Sequence, residues 1–391
     1  MNSKITTAEL KLRHDKIRAL MSANNIGAVL ISTNTNIYYC AGRVFNGFVY
    51  IPAEGETLFF VRRPAGLTDK NVIYIKKPEQ ITEELSKLGI TLPENVALEL
   101  DRISFSDTQR LTKALSIEKP LNASPLISSA RAVKTAVEIE LIKEAGVHHC
   151  NSYKRIPSLF RKGMTDIELQ TEIEYDLRKE GCLGLFRVAG ESMESFMGHV
   201  ITGDNADNPS PYDFAMGGAG MDESLPMGCN GSTIEEGSTV MIDMNGNFNG
   251  YMTDITRTYG LHLTDAHTLK AHQLSVDIHK ALIRFIKPGV AAKDAYLLAQ
   301  QMVEEAGETD YFMGHRQKAG FIGHGLGIEI NEWPVLAPRS KHIFEEGNVI
   351  AIEPKFVIPG VGAAGIENTY VVTAEGLECI TPLPEDIIEL K

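Results

Sequence analysis

Apolar and polar residues are arranged along the first part of the chain in patterns that predict both helices and strands. Over residues 10–25, apolar residues recur among charged ones at helical spacing. The apolar run 27–32 is typical of a buried strand, and residues 48–61 predict a hairpin around a turn that contains proline and glycine. This alternation of helix and strand predicts an α/β domain over residues 1–128.

The pattern changes after this point, and a second domain is predicted over residues 129–391. Residues 135–148 carry apolar positions four residues apart, as on one face of a helix. Thr165 followed by Glu168 is the capping-box pattern that begins another helix. Strand patterns occupy much of the remaining sequence and alternate with one further helical block over about residues 265–306.

Charge and cysteine content exclude several classes of protein. The net charge is −13, from 38 basic and 51 acidic residues, and it repels both a phosphate backbone and an anionic membrane surface. We therefore expect no nucleic-acid or membrane partner. The N-terminal residues lack the apolar core of a signal peptide, and no run of about 18 apolar residues predicts a membrane span. The five cysteines include no CxxC pair, which favours reduced thiols in a cytoplasmic protein.

Two aspartates flank a strong turn signal in the second domain. Asp243 lies in the apolar run 239–245, and Asp254 lies in a second strand-like run after the turn 246–250. A hairpin folded there places the two carboxylates opposite each other on adjacent strands. Taken alone, such a pair beside an Asn-Gly turn more often belongs to the turn than to a metal site.

Two glutamates repeat this arrangement nearer the C-terminal end. Glu353 follows the apolar run 349–352, and Glu367 comes after the turn 359–362. Because a buried carboxylate without a partner costs roughly several kcal/mol, each glutamate requires either a cation or an arginine or lysine side chain. One glutamate alone favours the arginine or lysine, whereas two acidic pairs on similar hairpins favour a cation.

An imidazole completes a set of metal-binding side chains. His324 lies among glycines in the sequence GHGLG, where the backbone can approach another group closely. The expected metal ligands are Asp243, Asp254, His324, Glu353 and Glu367. This oxygen-rich set suits two divalent cations about 3.5–4 Å apart. Its hard ligands favour Mn²⁺ first, with Co²⁺, Fe²⁺ or Zn²⁺ as alternatives.

These five residues, in this order and spacing, resemble the metal ligands of the pita-bread metallopeptidases. That family includes methionine aminopeptidase, aminopeptidase P and Xaa-Pro dipeptidase (prolidase). Residues 37–42 and the following hairpin resemble the creatinase/prolidase N-terminal domain, which methionine aminopeptidases lack. The resemblance implies an α+β fold, in which a pita-bread catalytic domain follows an α/β N-terminal domain with a mixed sheet. It points to the Xaa-Pro dipeptidase and aminopeptidase P branch.

The resemblance also implies a role for each ligand. Asp254 and Glu367 would bridge both cations, Asp243 would complete one site, and His324 with Glu353 would complete the other. Glu353 would also be the general base toward a bridging water that attacks the scissile carbonyl. The implied enzyme is a dinuclear hydrolase of short peptides, of Xaa-Pro dipeptidase or aminopeptidase type. Members of the family often form dimers, so we expect a homodimer.

Three positions depart from the peptidase pattern. Asn331 and Ser210 stand where the family has histidines, and Gly365 stands where it has an arginine. Asn331 can still donate a hydrogen bond but cannot take up a proton at neutral pH, and we retain it as a catalytic candidate. Losing one such donor costs roughly 10²–10³ in rate at comparable sites.

Several side chains are candidates for contact with the substrate. Those expected to bind it are His199, Ser210, Tyr212 and Trp333. Residues 209–220 form a glycine-rich segment that is either a recognition loop over the cleft or an ordinary surface loop. Arg257 and His315 are further candidates to replace the missing histidines, although residues of this kind more often have structural roles.

Two other functions are compatible with the sequence. The departures at Asn331, Ser210 and Gly365 suit a non-peptidase enzyme on the same metal site, such as a lyase or a C–N hydrolase acting on a small zwitterionic metabolite. A non-catalytic binding module is the third hypothesis, because some relatives of this fold are histone chaperones or translation factors. Such relatives usually lose metal ligands, whereas this chain keeps all five.

Overall fold

The chain divides into two units, residues 1–131 and 132–391. The computed structural model describes residues 4–190, 196–214 and 216–391. The boundary expected from the sequence, between residues 128 and 129, lies close to this division.

The first unit contains a mixed sheet. Its strands are β1 (Ala28–Ile31), β2 (Asn46–Pro52), β3 (Leu58–Arg63), β4 (Val72–Tyr74), β5 (Val96–Leu98) and β6 (Leu121–Asn122). They are ordered β4-β3-β2-β1-β5-β6, and β1 pairs antiparallel with β2 but parallel with β5. The predicted mixed sheet and the predicted hairpin, β2 with β3, are therefore confirmed.

Helices pack around this sheet. Those described in this unit are α1 (Thr7–Ala23), α2 (Asn34–Ala41), α3 (Ile81–Lys87), α4 (Phe105–Leu115) and α5 (Ser124–Ala132), with a 3-10 turn at Pro78–Gln80. Helix α1 begins before the predicted start because the Thr6 hydroxyl accepts a hydrogen bond from the Glu9 N–H and caps the helix there. Buried apolar side chains of the strands, including Leu30, Tyr50 and Phe60, form the core.

One helix of the second unit, α7 (Asp166–Glu180), begins where the capping pattern predicts. The described helices are α6 (Ala136–Leu159), α7 (Asp166–Glu180), α8 (Ala266–Phe285) and α9 (Ala292–Ala306). The Thr165–Glu168 capping box is present at the start of α7. The block predicted as one helix over 265–306 is instead two helices, because Pro288 and Gly289 fall between them and Gly289 has a positive φ of 93°.

The described strands of the second unit form two sheets and a separate hairpin. The first sheet contains β7 (Gly198–Thr202), β8 (Thr239–Asn247), β9 (Met252–Gly260) and β17 (Ile388–Glu389), in the order β17-β9-β8-β7. The second contains β10 (Gly323–Gly325), β11 (Glu332–Val335), β12 (Val349–Ile352), β15 (Asn368–Thr373) and β16 (Gly376–Cys379), in the order β11-β10-β12-β15-β16. The hairpin consists of β13 (Lys355–Ile358) and β14 (Gly362–Gly365).

Hydrogen bonds join the two sheets where β9 meets the start of β15. Thr256 and Glu367 form an antiparallel bridge, with the Glu367 N–H donating to the Thr256 carbonyl at 3.1 Å. The Asp254 N–H donates to the Thr369 hydroxyl at 2.9 Å, and that hydroxyl donates to the Asp254 carbonyl at 3.0 Å. Two predicted metal ligands, Asp254 and Glu367, therefore belong to the backbone junction itself.

The described residues also bear on the expectations about membrane spans and cysteines. Among the described helices, none combines the length and apolar character that crossing a lipid bilayer requires. All five cysteines are free thiols, and four of them are buried.

One side chain of helix α6, Tyr153, bonds to both strands of the β8–β9 hairpin. The Tyr153 hydroxyl lies within hydrogen-bonding distance of the Ile242 carbonyl, at 3.2 Å, and of the Ile255 carbonyl. It accepts a hydrogen bond from the Met244 N–H at 2.9 Å. This hydroxyl therefore satisfies backbone groups on both strands.

Replacing Tyr153 with phenylalanine tests this attachment. We expect Tyr153→Phe to lower the free energy of unfolding by about 1–3 kcal/mol, because buried backbone groups lose their partner. Urea unfolding followed by circular dichroism measures the change. Tyr175→Phe is the matched control, since Tyr175 is 62% exposed and should change stability by less than about 0.5 kcal/mol. Equal stability of the two variants would contradict the assigned role.

Candidate metal centre

The β8–β9 hairpin presents two aspartates on one face. Asp243 lies opposite Thr256, and Asp254 lies opposite Asn245. The prediction that the two aspartates lie directly opposite each other is therefore wrong by two positions. The strands continue as far as the pair of Asn247 with Met252, which moves the turn along the chain. Because the offset is even, both carboxylates still point to the same side of the sheet.

Asp254 is held in a crowded anionic environment. The Asn245 amide, oriented with its nitrogen toward Asp254, donates to both carboxylate oxygens at 3.2 Å. Burial, followed by the negative charges of Glu367 and Asp243, raises the pKa of Asp254 well above its usual range. Asp254 therefore requires added positive charge if it is to remain ionised.

The two glutamates lie at the ends of paired strands. Ile352 of β12 pairs with Asn368 of β15, so Glu353 and Glu367 are the next residues along this pair. The predicted hairpin between them is confirmed as β13 and β14. The Thr256 hydroxyl donates to Glu367 Oε2 at 2.8 Å, whereas Glu367 Oε1 is buried without a hydrogen-bond partner. Burial and the charge of Glu353 raise the pKa of Glu367 to about 8.

His324 points its Nε2 atom at the carboxylates. Its Nδ1 lies 3.1 Å from the Gly325 carbonyl, an arrangement in which Nδ1 carries the proton and Nε2 is available as a ligand. Nε2 lies 3.4 Å from Glu353 Oε1 and 3.8 Å from Asp254 Oδ2. The flanking glycines are required by close packing, because a Cβ at Gly323 would lie 2.3 Å from the Ala351 carbonyl oxygen.

All five predicted metal ligands therefore converge. Their ligand atoms form two triads, in each of which the atoms lie within 4.8 Å of one another. The first triad is Asp254, His324 and Glu367, and the second is Asp243, Glu353 and Glu367. The first triad fits a divalent cation, because hard oxygen donors surround one imidazole nitrogen and the unpartnered Glu367 Oε1 atom would gain a partner.

The second triad already contains a positive charge. The Lys355 ammonium donates to Asp243 Oδ2 and Glu353 Oε2 at 2.8 Å and to Glu367 Oε2 at 3.0 Å. The Lys355 side chain is fully buried. Burial alone would lower the pKa of this lysine, but the three carboxylates outweigh it and raise the pKa well above its usual range. The same ammonium, with His324, holds the pKa of Glu353 at about 2 despite burial.

Lys355 was not among the residues predicted from the sequence, although a lysine was one expected alternative partner for a buried glutamate. A signal was present in the sequence. Lys355 lies two residues after Glu353 and begins the otherwise apolar strand Lys355–Ile358. A spacing of two in extended chain places both side chains on the same face. A charged residue at such a position requires a buried partner of opposite charge.

A cavity of about 450 Å³ opens onto these ligands. Its apolar lining includes Val188, Phe214, Met216, Phe321, Ile330 and Val335. Its polar lining includes His199 and Asn331 beside the predicted ligands. An apolar cavity with a few converging polar groups is typical of a small-molecule or short-peptide site.

His199 is one predicted substrate contact that lines this cavity. It lies opposite Asp243 in the β7–β8 pair and is 8% exposed. Its Nδ1 atom is buried without a hydrogen-bond partner, and its ring packs 5.9 Å from that of Phe214. Burial lowers the pKa of His199, so the imidazole is neutral at neutral pH and carries one N–H donor.

Asn331 also lines the cavity, but its amide is bonded to the backbone. Its nitrogen donates to the Ala189 carbonyl and its oxygen accepts from the Ala189 N–H, both at 2.6 Å. The adjacent Ile330 N–H donates to the Arg187 carbonyl at 2.9 Å. Asn331 therefore holds the segment that carries Val188 and Ala189 against the cavity.

The other predicted substrate contacts lie elsewhere in the described structure. Ser210 and Tyr212 line a smaller neighbouring cavity, and the Ser210 hydroxyl donates to the Pro226 carbonyl at 2.9 Å. The Trp333 ring packs 4.8 Å from that of His342. None of these three residues lines the cavity at the ligands.

The glycine-rich segment 209–220 nevertheless contributes to the cavity through Asp213, Phe214 and Met216. Ala215 in this segment lies outside the described residues.

The two further candidates, Arg257 and His315, have structural partners. The Arg257 guanidinium is buried and donates to the Glu367 carbonyl at 2.8 Å and to Asn368 Oδ1 at 2.7 Å. It therefore supports the strand that carries Glu367. His315 lies 2.9 Å from Asp207 and does not line the cavity.

Comparison with known proteins gives matches over most of the chain. The family model for metallopeptidase family M24 matches residues 140–374, and that for the creatinase/prolidase N-terminal domain matches residues 13–133. The YkvY protein of Bacillus subtilis (strain 168) is 29% identical over 381 residues, which cover 93% of this chain and 95% of that protein.

Proteins titled Xaa-Pro dipeptidase are also similar. The one from Pyrococcus furiosus is 25% identical over 386 residues, which cover 97% of this chain and all of that protein (100%). The solved structure of the one from Bacillus anthracis superposes with a TM-score of 0.79 at 26% identity, covering 97% of this chain and 100% of that one. These matches confirm the resemblance and the α+β, pita-bread fold class that the sequence predicted.

Replacing Asp254 tests the ligand set. We expect Asp254→Ala to weaken the binding of Mn²⁺ or Co²⁺ by at least about 100-fold, measured by isothermal titration calorimetry of the metal-free protein. The variant should fold, because the substitution removes one of several mutually repelling buried carboxylates. Asp222→Ala is the control, since Asp222 lies in an exposed loop and should leave metal affinity unchanged. Equal affinity in the two variants would reject the site.

Proposed function

Because this chain belongs to metallopeptidase family M24, we propose that it is a metal-dependent peptidase that cleaves short peptides before proline, as a Xaa-Pro dipeptidase or aminopeptidase. The observation that carries this proposal is the cluster of Asp254, His324 and Glu367 at the end of an apolar cavity. The similar proteins titled Xaa-Pro dipeptidase support the same substrate class.

Asp254, His324 and Glu367 would hold the cation. A divalent cation at these ligands supplies Lewis acidity, which polarises a carbonyl and lowers the pKa of a water molecule. Glu353 lies beside this triad and stays ionised, because the Lys355 ammonium stabilises its carboxylate. Its Oε2 atom is bonded to Lys355, so Oε1 is the atom that would accept a proton during hydrolysis.

The cavity lining suits the expected substrate. The proline ring would pack among apolar side chains from separate segments of the chain, including Phe214, Phe321 and Ile330. His199, neutral at neutral pH, would donate its N–H to an oxygen of the substrate. A neutral donor stabilises developing negative charge without adding a competing cation at the site.

A cleavage assay tests the proposed function. The protein reconstituted with Mn²⁺ should cleave Leu-Pro with at least about tenfold higher kcat/KM than Leu-Ala, because the apolar lining favours the proline ring. Chelation should abolish the activity, and added Mn²⁺ should restore it. Release of free proline, followed by chromatography, measures the reaction. Absence of cleavage across a panel of Xaa-Pro dipeptides and longer Xaa-Pro peptides, with metal shown to be bound, would refute the proposal.

The role of Asn331 gives a separate prediction. Asn331→Ala should lower kcat/KM for Leu-Pro about tenfold, mainly by raising KM, because Ala189 loses two hydrogen bonds that hold the cavity wall. Asn331→Asp, which places a carboxylate oxygen against the Ala189 carbonyl, should lose at least as much. Affinity for Mn²⁺ should be unchanged in Asn331→Ala. A fall in kcat with an unchanged KM would instead indicate direct action of Asn331 on the reacting atoms.

Manganese as the native cation, the homodimer and the cytoplasmic location stay predictions from the sequence.

A further inference from the structure

We propose that the Lys355 ammonium permanently takes one of the two cation positions of this centre, so that the protein binds a single divalent cation, at Asp254, His324 and Glu367. The inference rests on the proposed metal-dependent function and specifies how many cations that function uses. It differs from the dinuclear centre that the resemblance implies.

The ammonium is fully satisfied where it lies. An ammonium group has three donors, and Lys355 directs them to three carboxylates at 2.8, 2.8 and 3.0 Å. The acceptors, Asp243, Glu353 and Glu367, are the three members of the second triad. A metal ion held by these oxygens at roughly 2.0–2.4 Å would overlap the ammonium nitrogen. The two cations therefore exclude each other.

The lysine is also fixed by its surroundings. Its side chain is fully buried, and its backbone carbonyl accepts a hydrogen bond from the Met313 N–H at 2.8 Å. Across the hairpin it faces Gly365, where a Cβ would lie 2.7 Å from the Pro354 carbonyl oxygen and 3.0 Å from Lys355 Cα. The backbone of Lys355 is therefore held in place by close packing, and the three carboxylates hold its ammonium.

The first triad keeps its capacity for a cation. Glu367 uses Oε2 for both Lys355 and Thr256, while Oε1 is buried without a partner. His324 directs Nε2 to the same place, 3.8 Å from Asp254 Oδ2. An unpartnered oxygen in a side chain that is 1% exposed needs a positive partner, which the single lysine does not reach.

Metal stoichiometry tests this inference independently of activity. Metal-free protein is titrated with Mn²⁺ by calorimetry, and the metal content after dialysis is measured by mass spectrometry. We expect about one equivalent per chain in the wild type and about two in Lys355→Ala, since that substitution empties the second triad. Lys134→Ala is the matched control, because Lys134 is also buried and paired, with Glu332 at 3.2 Å, away from the ligands. The control should bind one equivalent.

Other outcomes separate the two proposals. Two equivalents in the wild type would overturn the single-cation inference and leave the metal-dependent peptidase standing. One equivalent in both the wild type and Lys355→Ala would overturn the claim that the ammonium substitutes for a cation. No bound cation in the wild type would overturn the proposed metal-dependent function itself. If Lys355→Ala does not fold, the wild-type stoichiometry alone decides.

Discussion

Four carboxylates are gathered at one buried point of the second unit, and their mutual repulsion is the constraint on which the site depends. Asp254 and Glu367 show this directly, because burial and neighbouring negative charge raise the pKa of each. The pKa of Glu353 is instead lowered, because Lys355 and His324 lie against its carboxylate. The chain thus carries part of the compensating charge itself, and a bound cation would supply the remainder at the first triad.

The backbone makes this arrangement possible by joining two sheets at the ligands. The Thr256–Glu367 bridge connects β9 to the start of β15, and the Thr369 hydroxyl connects the same strand to Asp254. The β13–β14 hairpin then directs Lys355 back toward the carboxylates. Since each of these contacts is made by backbone or by short polar side chains, the ligands have little freedom to separate. This rigidity suits a site that must bind a cation in a defined geometry.

The parts of the site that follow from local patterns were predictable. The two hairpins have strong turn signals, the four predicted acidic ligands lie in or next to strand-like runs, and His324 lies among glycines, so these residue types and approximate positions are visible in the sequence. The register of β8 and β9 was not predictable, because it depends on how far both strands extend past the point where the turn was expected. Contacts between segments that are far apart in the sequence were also not predictable. Asn331 is bonded to Ala189, and Ser210 to Pro226, and neither pairing has a local signature. Lys355 had a local signature, the two-residue spacing from Glu353, but its other partners, Asp243 in β8 and Glu367 before β15, are distant in the sequence.

The most direct test of this account is a crystal structure of the protein grown with Mn²⁺, with anomalous scattering measured at the manganese edge. We expect one anomalous peak, between Asp254, His324 and Glu367, with the Lys355 ammonium among Asp243, Glu353 and Glu367. Two peaks about 3.5–4 Å apart, with the Lys355 side chain turned away from the carboxylates, would contradict it.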